Sequence, residues 1–355
     1  MKQIALGYIF PVLIMNSGCV QSAIQHLFYA CIIYGARKTI LRLEVAEDTH
    51  IVVDKYENKM MCEPLSFTYR CVCALYKLIY SLLGFLGMCT KIKQQGPPTI
   101  NKLPEMNIVL VHGLNGSSDS KYVIGMANLF LRKNCRVFCI NSRGEKGVFT
   151  GMTFTHFGFT EDILFLTKHI LETYEGKVFF VGFSQGGNMV TKFMAEFKHE
   201  RVLGGVSVCN PFNFTKLEEV HKKGTWINRV VGRRVCDQFR DHLEKVYRQK
   251  FNGRDFREII NQLIQEGFLK YGSVEEYQKA ASSEDCIHLV DKPLLFINAD
   301  DDPVIPIEVV PKEKIFKNRN TGLITLQGGH LGFRSFFLTS TIEGLIDDFY
   351  RNLEK

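Results

Sequence analysis

The chain contains no C-x-x-C pair and no regular cysteine spacing: its eleven cysteines are odd in number and scattered over 355 residues. That excludes a disulfide framework and a zinc knuckle, and predicts reduced thiols in a reducing compartment, most of them small apolar filler. Internal repeats and low-complexity tracts are also missing, so the chain is neither repetitive nor disordered. Tryptophan occurs once, at Trp226. The net charge of +7 is modest for this length, and no basic motif is interleaved with aromatics. No nucleic-acid partner is expected, whereas attraction to anionic membranes or anionic substrates is permitted.

A clean membrane span is missing too. The apolar stretches 4–15 and 19–36 are interrupted by Pro11, Asn16 and Gln21, and the stretch 69–89 contains Lys77. Basic residues flank them, with Lys2 before, Arg37, Lys38 and Arg42 after the first pair, and Lys91 and Lys93 after the last. The expectation is an N-terminal membrane-associated region over residues 1–98, anchored in or on a membrane, with buried or interfacial helices as the alternative. No small-x-small site ends a compact apolar run, so a cleaved signal peptide is not expected.

What is present is enough apolar residue, 46% of the chain, to bury a full core. After the turn-rich GPPT at 96–99, strand and helix patterns alternate. Strands are expected over 106–113, 135–144, 177–183, 201–209, 292–299 and 322–329. Helices are expected over 122–134, 160–174 (starting at a capping-type Thr160), 185–197 and about 336–352. This alternation specifies an α/β fold, a mostly parallel central sheet with helices on both faces, occupying 99–355. Between Asn210 and Asp291 it breaks down into a largely helical segment, too long for a connection, which predicts a helical cap inserted at about 211–290. From His221 to Lys250 the cap is rich in basic residues, Lys222, Lys223, Arg229, Arg233, Arg234, Arg240, Lys245, Arg248 and Lys250. Its basic face is either solvated and countered by nearby acids or turned toward anionic lipid headgroups, and Trp226 either packs or lies at an interface.

Ligands of such sheets collect at the carboxyl ends of strands. There, VFFVGFSQGGNM places Ser184 between Gly182 and Gly186, after a strand and before a helix. A turn that tight projects the hydroxyl out of the backbone, as an esterase nucleophile requires, and leaves no room for a Cβ on its neighbours. A serine needs a base, and the base needs an orienting acid. NADDDPVIP offers Asp300, Asp301 and Asp302 just past one strand, and QGGHLGF offers His330 just past the last. Asp302, directly before Pro303, is preferred as the acid, with Asp301 as the alternative. His112 in the HG after the first strong strand is expected to be structural. The oxyanion would be held by the backbone N–H groups of Leu114 and Gln185. No metal or cofactor is called for.

Together VLVHGLNGSS (109–118), CINSRG (139–144), FGFTEDI (157–163), VGFSQGGNMVTKF (181–193), VCNPFN (208–213), NADDDPVIP (298–306) and GGHLGF (328–333) resemble one branch of the α/β hydrolase superfamily. That branch contains the mammalian abhydrolase domain proteins one, two and three and the bacterial YheT-type esterases. The resemblance covers roughly 100–355. It implies a serine hydrolase acting on lipid esters such as phospholipids or acylglycerols, with Ser184 as nucleophile, Asp302 as acid and His330 as base. It implies that Arg143 and Asp162 brace the active-site loops. It also implies, in several members, an N-terminal membrane anchor, and hence the endoplasmic reticulum or another intracellular membrane, with the catalytic domain on the cytosolic side. Lipid acyl transfer and a non-catalytic lipid-binding role on the same scaffold are the alternatives. Oligomeric state is not encoded in any of these features.

Overall fold

A computed structural model describes residues 36–46, 49–58, 105–146, 154–333 and 341–354. Its centre is one eight-stranded sheet in the order β1-β2-β4-β3-β5-β6-β7-β8. The strands are β1 (Ala36–Ala46), β2 (Thr49–Asn58), β3 (Met106–Val111), β4 (Arg136–Asn141), β5 (Lys177–Phe183), β6 (Val202–Val208), β7 (Leu294–Ala299) and β8 (Thr321–Leu326). From β4 to β8 every neighbouring pair is parallel, while β1 and β2 form an antiparallel pair and β2 runs antiparallel to β4.

The strand sequences explain this arrangement. In β3, β4 and β7 all six residues are buried, as a parallel strand covered on both faces must be. Successive side chains of β5 alternate between two cores. Phe179, Val181 and Phe183 face a cluster with α1 (Lys121–Leu131) and α9 (Thr341–Glu354), and Phe180 faces a second with α2 (Glu161–Thr173) and α3 (Gln185–Glu196). A short helix α8 (Lys312–Lys317) precedes β8.

The sequence pattern draws its first strand at Met106, yet two more lie upstream. Val52 to Tyr56 of β2 pair with Val137 to Asn141 of β4 and extend the sheet by an antiparallel edge. Pairing set by tertiary contact overrides the surrounding apolar bias that obscures a strand here. Arg37, Lys38 and Arg42, read as the flank of a membrane segment, lie on β1.

The transmembrane expectation is also corrected: among the described residues no helix is long and apolar enough to cross a membrane. The longest, α5 (Trp226–Tyr247), carries Arg229, Arg233, Arg234, Asp237, Arg240 and Asp241 within it. The stretches 4–15 and 69–89, and all of 19–36 but its last residue, lie outside the described residues, as do 336–340 of the final expected helix. Thr160 stands at the start of α2 but makes no side-chain cap; its hydroxyl donates instead to Glu196 Oε2 at 3.0 Å.

Between β6 and β7 the chain leaves the sheet for four helices, α4 (Phe214–Lys223), α5, α6 (Phe256–Gln265) and α7 (Val274–Ala281). Each starts with a capped backbone, from Asn213, Thr225, Asp255 and Ser273 respectively, worth about 1 kcal/mol apiece. They share an apolar cluster built on Phe239, Leu243, Ile259, Leu263 and Tyr277, into which Phe154 and Phe157 project from the chain before α2. This inserted cap sits on the carboxyl edge of the sheet.

Candidate active site

Ser184 connects β5 to α3 with φ 53° and ψ −116°, a left-handed-side conformation that a residue with a Cβ adopts only under constraint. The constraint is visible. The Ser184 amide donates to Val208 O at 2.7 Å, and Ser184 O accepts from Asn188 N at 3.1 Å in the first turn of α3. A Cβ on Gly182 would stand 2.2 Å from Gly186 O, and one on Gly186 would stand 2.3 Å from Val111 O. Glycine at both places is therefore a packing requirement, and the bend aims the serine side chain out of the turn.

His330 follows β8 in a turn containing Gly329 (φ 59°) and Leu331 (φ 61°). Its Nε2 lies 3.0 Å from Ser184 Oγ and its Nδ1 lies 2.8 Å from Asp302 Oδ2. An ionised carboxylate can only accept, so Nδ1 carries the proton and Nε2 is left as the acceptor facing the serine hydroxyl. Asp302 is buried and held on its other oxygen by the amides of Val304 at 2.8 Å and Ile305 at 3.0 Å. Asp301 has a different task. Its Oδ1 accepts from the amides of Gly328 and Gly329, both at 2.8 Å, which hold its carboxyl below the usual range and fasten the loop that carries His330. Of the two acids weighed from the sequence, only Asp302 meets the histidine. Asp300 places its amide on Leu326 O at 2.8 Å.

The loop after β3 approaches Ser184 from the other side. A Cβ on Gly113 would lie 3.1 Å from the Ser184 Cβ. Buried His112 spans the loops after β3 and β4: Nδ1 reaches Gly113 O at 2.7 Å and Nε2 accepts from the Ser142 amide at 3.0 Å. Burial pushes its pKa down to about 4, so it is neutral and lies off the line from Ser184 to Asp302. Tyr122, from α1, takes the Gly113 amide on its hydroxyl at 3.0 Å. Leu114 turns its side chain to the cap cluster, and Gln185 opens α3 with its side chain bonded to Thr155 O at 3.2 Å. Both amides belong to elements that converge on Ser184, one of them at the positive end of a helix.

Arg143 and Asp162 form a buried two-pronged pair, with Nη2 to Oδ1 at 2.6 Å and Nε to Oδ2 at 3.0 Å, and the guanidinium lies 4.6 Å from the centre of the Phe159 ring. Burial raises the Asp162 carboxyl while Arg143 pulls it back. The pair ties the loop after β4 to the start of α2, behind the serine.

Sequence reasoning passed over several neighbours. Cys209 (φ 50°), at the end of β6, places its thiol with Asp302 and His330 so that one ligand atom from each lies within 4.8 Å of the others. As a donor set this fits a metal poorly. Burial, then the Asp302 charge, drives the thiol pKa well up, and the facing atoms of Asp302 and His330 are bonded to each other. Asn188 donates to Phe157 O and Ala281 O, both at 2.8 Å, and accepts from Ser283 N at 3.1 Å, joining α3 to the chain before α2 and to the C-terminal end of the cap. Asp54 of β2 is fully buried, bonded to Ser118 Oγ and to Lys146 Nζ at 2.8 Å, and so anchors the far end of the 112–118 loop. Only Cys209 and Asn188 stand inside sequence motifs that could have drawn attention. Asp54 lies in a strand that the pattern did not reveal.

A family model described as alpha/beta hydrolase fold matches residues 107–334. Among known proteins, the embryogenesis-associated protein EMB8 of Picea glauca is 31% identical over 243 residues, covering 64% of this chain and 53% of that one. The monoacylglycerol lipase ABHD2 of Mus musculus is 25% identical over 257 residues, covering 64% of this chain and 60% of that one. The chain thus spans between half and two thirds of the length of these relatives. Among solved structures, the Pyrococcus furiosus esterase PF2001 superposes with a TM-score of 0.53 at 12% identity, over 89% of this chain and 91% of that one, a likeness of fold alone.

Proposed function

The chain belongs to the alpha/beta hydrolase fold family, and on that footing we propose that it is a serine hydrolase cleaving carboxylic esters of lipids through an acyl-enzyme. The observation that carries this reading is the unbroken hydrogen-bonded line Ser184 Oγ, His330, Asp302. His330 Nε2 takes the hydroxyl proton as Oγ attacks the ester carbonyl, and Asp302 steadies the imidazolium that forms. The tetrahedral oxyanion is met by the amides of Leu114 and Gln185. Collapse expels the alcohol, which takes its proton from His330. Water, activated by the same nitrogen, then releases the fatty acid.

A lipid ester is favoured by the apolar cap cluster that meets Leu114 beside the serine, and by similarity to a protein named as a monoacylglycerol lipase. Acylglycerols and phospholipids are the substrates to try first. The motifs from NxRG to S-x-G-G-N favour the branch of abhydrolase domain proteins one, two and three with the YheT-type esterases. Cys135, Cys209, Cys236 and Cys286 are free thiols, which favours a catalytic domain facing the cytosol.

The test is fluorophosphonate labelling of the wild type beside S184A and H330A, followed by fatty-acid release from monoacylglycerol and phospholipid. Labelling of the wild type alone, with fatty acid released only by it, is the expected result. Full esterase activity in S184A would overturn the reading.

A further inference from the structure

The first three turns of α5 carry an exposed apolar tip on a helix whose opposite face is built into the cap. Trp226 is 69% exposed, Val230 55% and Ile227 45%, among the few large apolar side chains so exposed in the described residues. At 3.6 residues per turn they fall on the half of α5 turned away from Cys236, Phe239, Leu243 and Val246, which are its buried face. Arg229, Arg233 and Arg234 are exposed as well, Arg234 on that outer half, Arg233 at its edge and Arg229 on the flank nearer Cys236.

Arg248, Arg254, Lys270 and Lys279 form no ion pair among the described residues, but many other basic residues of the cap are answered by acids. Lys222 pairs with Glu218 and Asp255, Lys223 with Glu219, Arg240 with Asp237, Lys245 with Glu145 and Lys250 with Glu244. Arg229, Arg233 and Arg234 form no ion pair among the described residues. The middle of α5 is meanwhile fixed to the base: Gln238 O accepts from Asn115 Nδ2 at 2.7 Å, and His242 Nδ1 meets Glu145 Oε1 at 2.9 Å. At the tip itself, the Thr225–Asn228 capping box closes the first turn of α5.

We propose that this tip, Trp226, Ile227 and Val230 with Arg229, Arg233 and Arg234, docks the cap onto an anionic lipid surface. A tryptophan with an apolar body and one N–H suits the boundary between headgroup and acyl chain, and three arginines without acidic partners suit headgroup phosphates and carboxylates. The docking is peripheral, by one helix end lying against the surface. Its use, bringing lipid esters to the cap above Ser184, rests on the hydrolase reading; the docking itself does not.

The chain supplies its own probe, because Trp226 is the only tryptophan. The full-length protein is titrated with vesicles of phosphatidylcholine alone and of phosphatidylcholine with phosphatidylserine, while tryptophan emission, its quenching by brominated acyl chains and vesicle co-sedimentation are followed. Emission is expected to shift to the blue and to be quenched with the anionic vesicles. At roughly five-fold per arginine, the triple variant R229Q/R233Q/R234Q should lose on the order of 100-fold in vesicle affinity at low salt. That variant and W226A should keep wild-type turnover of a soluble short-chain ester, since neither change touches the site. Co-sedimentation without any change in Trp226 emission would overturn the proposal by placing attachment elsewhere in the chain. A blue shift that depends on protein concentration and not on lipid would overturn it in favour of a second copy as the occupant. Loss of ester turnover in the wild type would break the hydrolase reading and leave the emission result standing by itself.

Discussion

Around Ser184 the chain buries polar groups and gives nearly all of them partners, Asn298 Oδ1 being an exception, whereas in the cap it buries mainly rings and leaves most of its charges outside. Asp302 accepts two amides and a histidine, Asn188 bridges three backbone groups, and Arg143 grips Asp162, all within the interior. In the cap, Phe154, Phe157, Phe239 and Tyr277 make the core, and most ion pairs are on the surface, where solvent screens their attraction. The difference follows from what each region must do. The proposed proton transfer between Ser184 and His330 would need its groups placed to within a fraction of an ångström, which directional, desolvated hydrogen bonds accomplish. An apolar cover needs only volume and dryness, which non-directional packing supplies.

Four changes break or sharpen that contrast, and the largest effect belongs to the acid. Asp302→Asn should lower turnover by about 10³–10⁴-fold by upsetting the histidine tautomer. Asp301→Asn, which only loosens the His330 loop, should cost no more than about ten-fold. Steady-state kinetics on a soluble ester compares the two, and equal losses would erase the distinction between them.

Gly182→Ala forces a Cβ to 2.2 Å from Gly186 O and should cost about 3 kcal/mol or more, read by thermal or denaturant unfolding. Phe239→Ala in the cap core should cost a comparable 3–5 kcal/mol. The two should differ in what survives. Protein folded with the cap lesion keeps labelling at Ser184, and protein folded with the elbow lesion does not.

The third change concerns acid stability. His112 and His156 are both buried, and desolvation lowers each to about 4 from 6.5. The unfolded chain therefore binds protons first, so stability is full above pH 6.5 and falls as the pH drops toward 4, by roughly 3 kcal/mol for each histidine. His112→Gln should remove about half of that slope. A slope unchanged in the variant would show that His112 is not held neutral.

The smallest effect lies at the seam of the two regions. Burial alone would raise Glu145, yet hydrogen bonds from His242 and Lys245 of the cap hold it at about 2. A depressed carboxyl contributes stability above its unfolded value of 4.5 and loses it as the pH falls toward 2. Glu145→Gln should flatten that lower limb of the unfolding profile while leaving turnover near neutral pH within about three-fold. A large loss of turnover would mean that the cap is held to the base through this one pair.

The strand and helix pattern from Met106 to Leu326, apart from the short α8, the placing of Ser184 at a strand end and the chain order Ser184, Asp302, His330 were readable from residues. They rest on local physics: unbroken apolar runs for buried parallel strands, and a turn too tight for any Cβ at Gly182 and Gly186. Composition and motif spacing likewise marked out a helical insertion after β6.

That Asp302 and not Asp301 lies against His330 is visible only in the tertiary structure. The two are adjacent in sequence and equally acidic, and the path of the 300–306 loop alone turns one to His330 and the other to the amides of Gly328 and Gly329. It alone joined β1 and β2 to the sheet, brought Asp54 to Ser118 across 64 positions of chain, and set Cys209 behind the acid. Such contacts depend on where distant segments meet, and a residue's own neighbours in the chain carry no trace of that meeting. The tip of α5 belongs to the same class. Its tryptophan and arginines were visible in the sequence, but that they stand exposed and unanswered is a property of the packed cap.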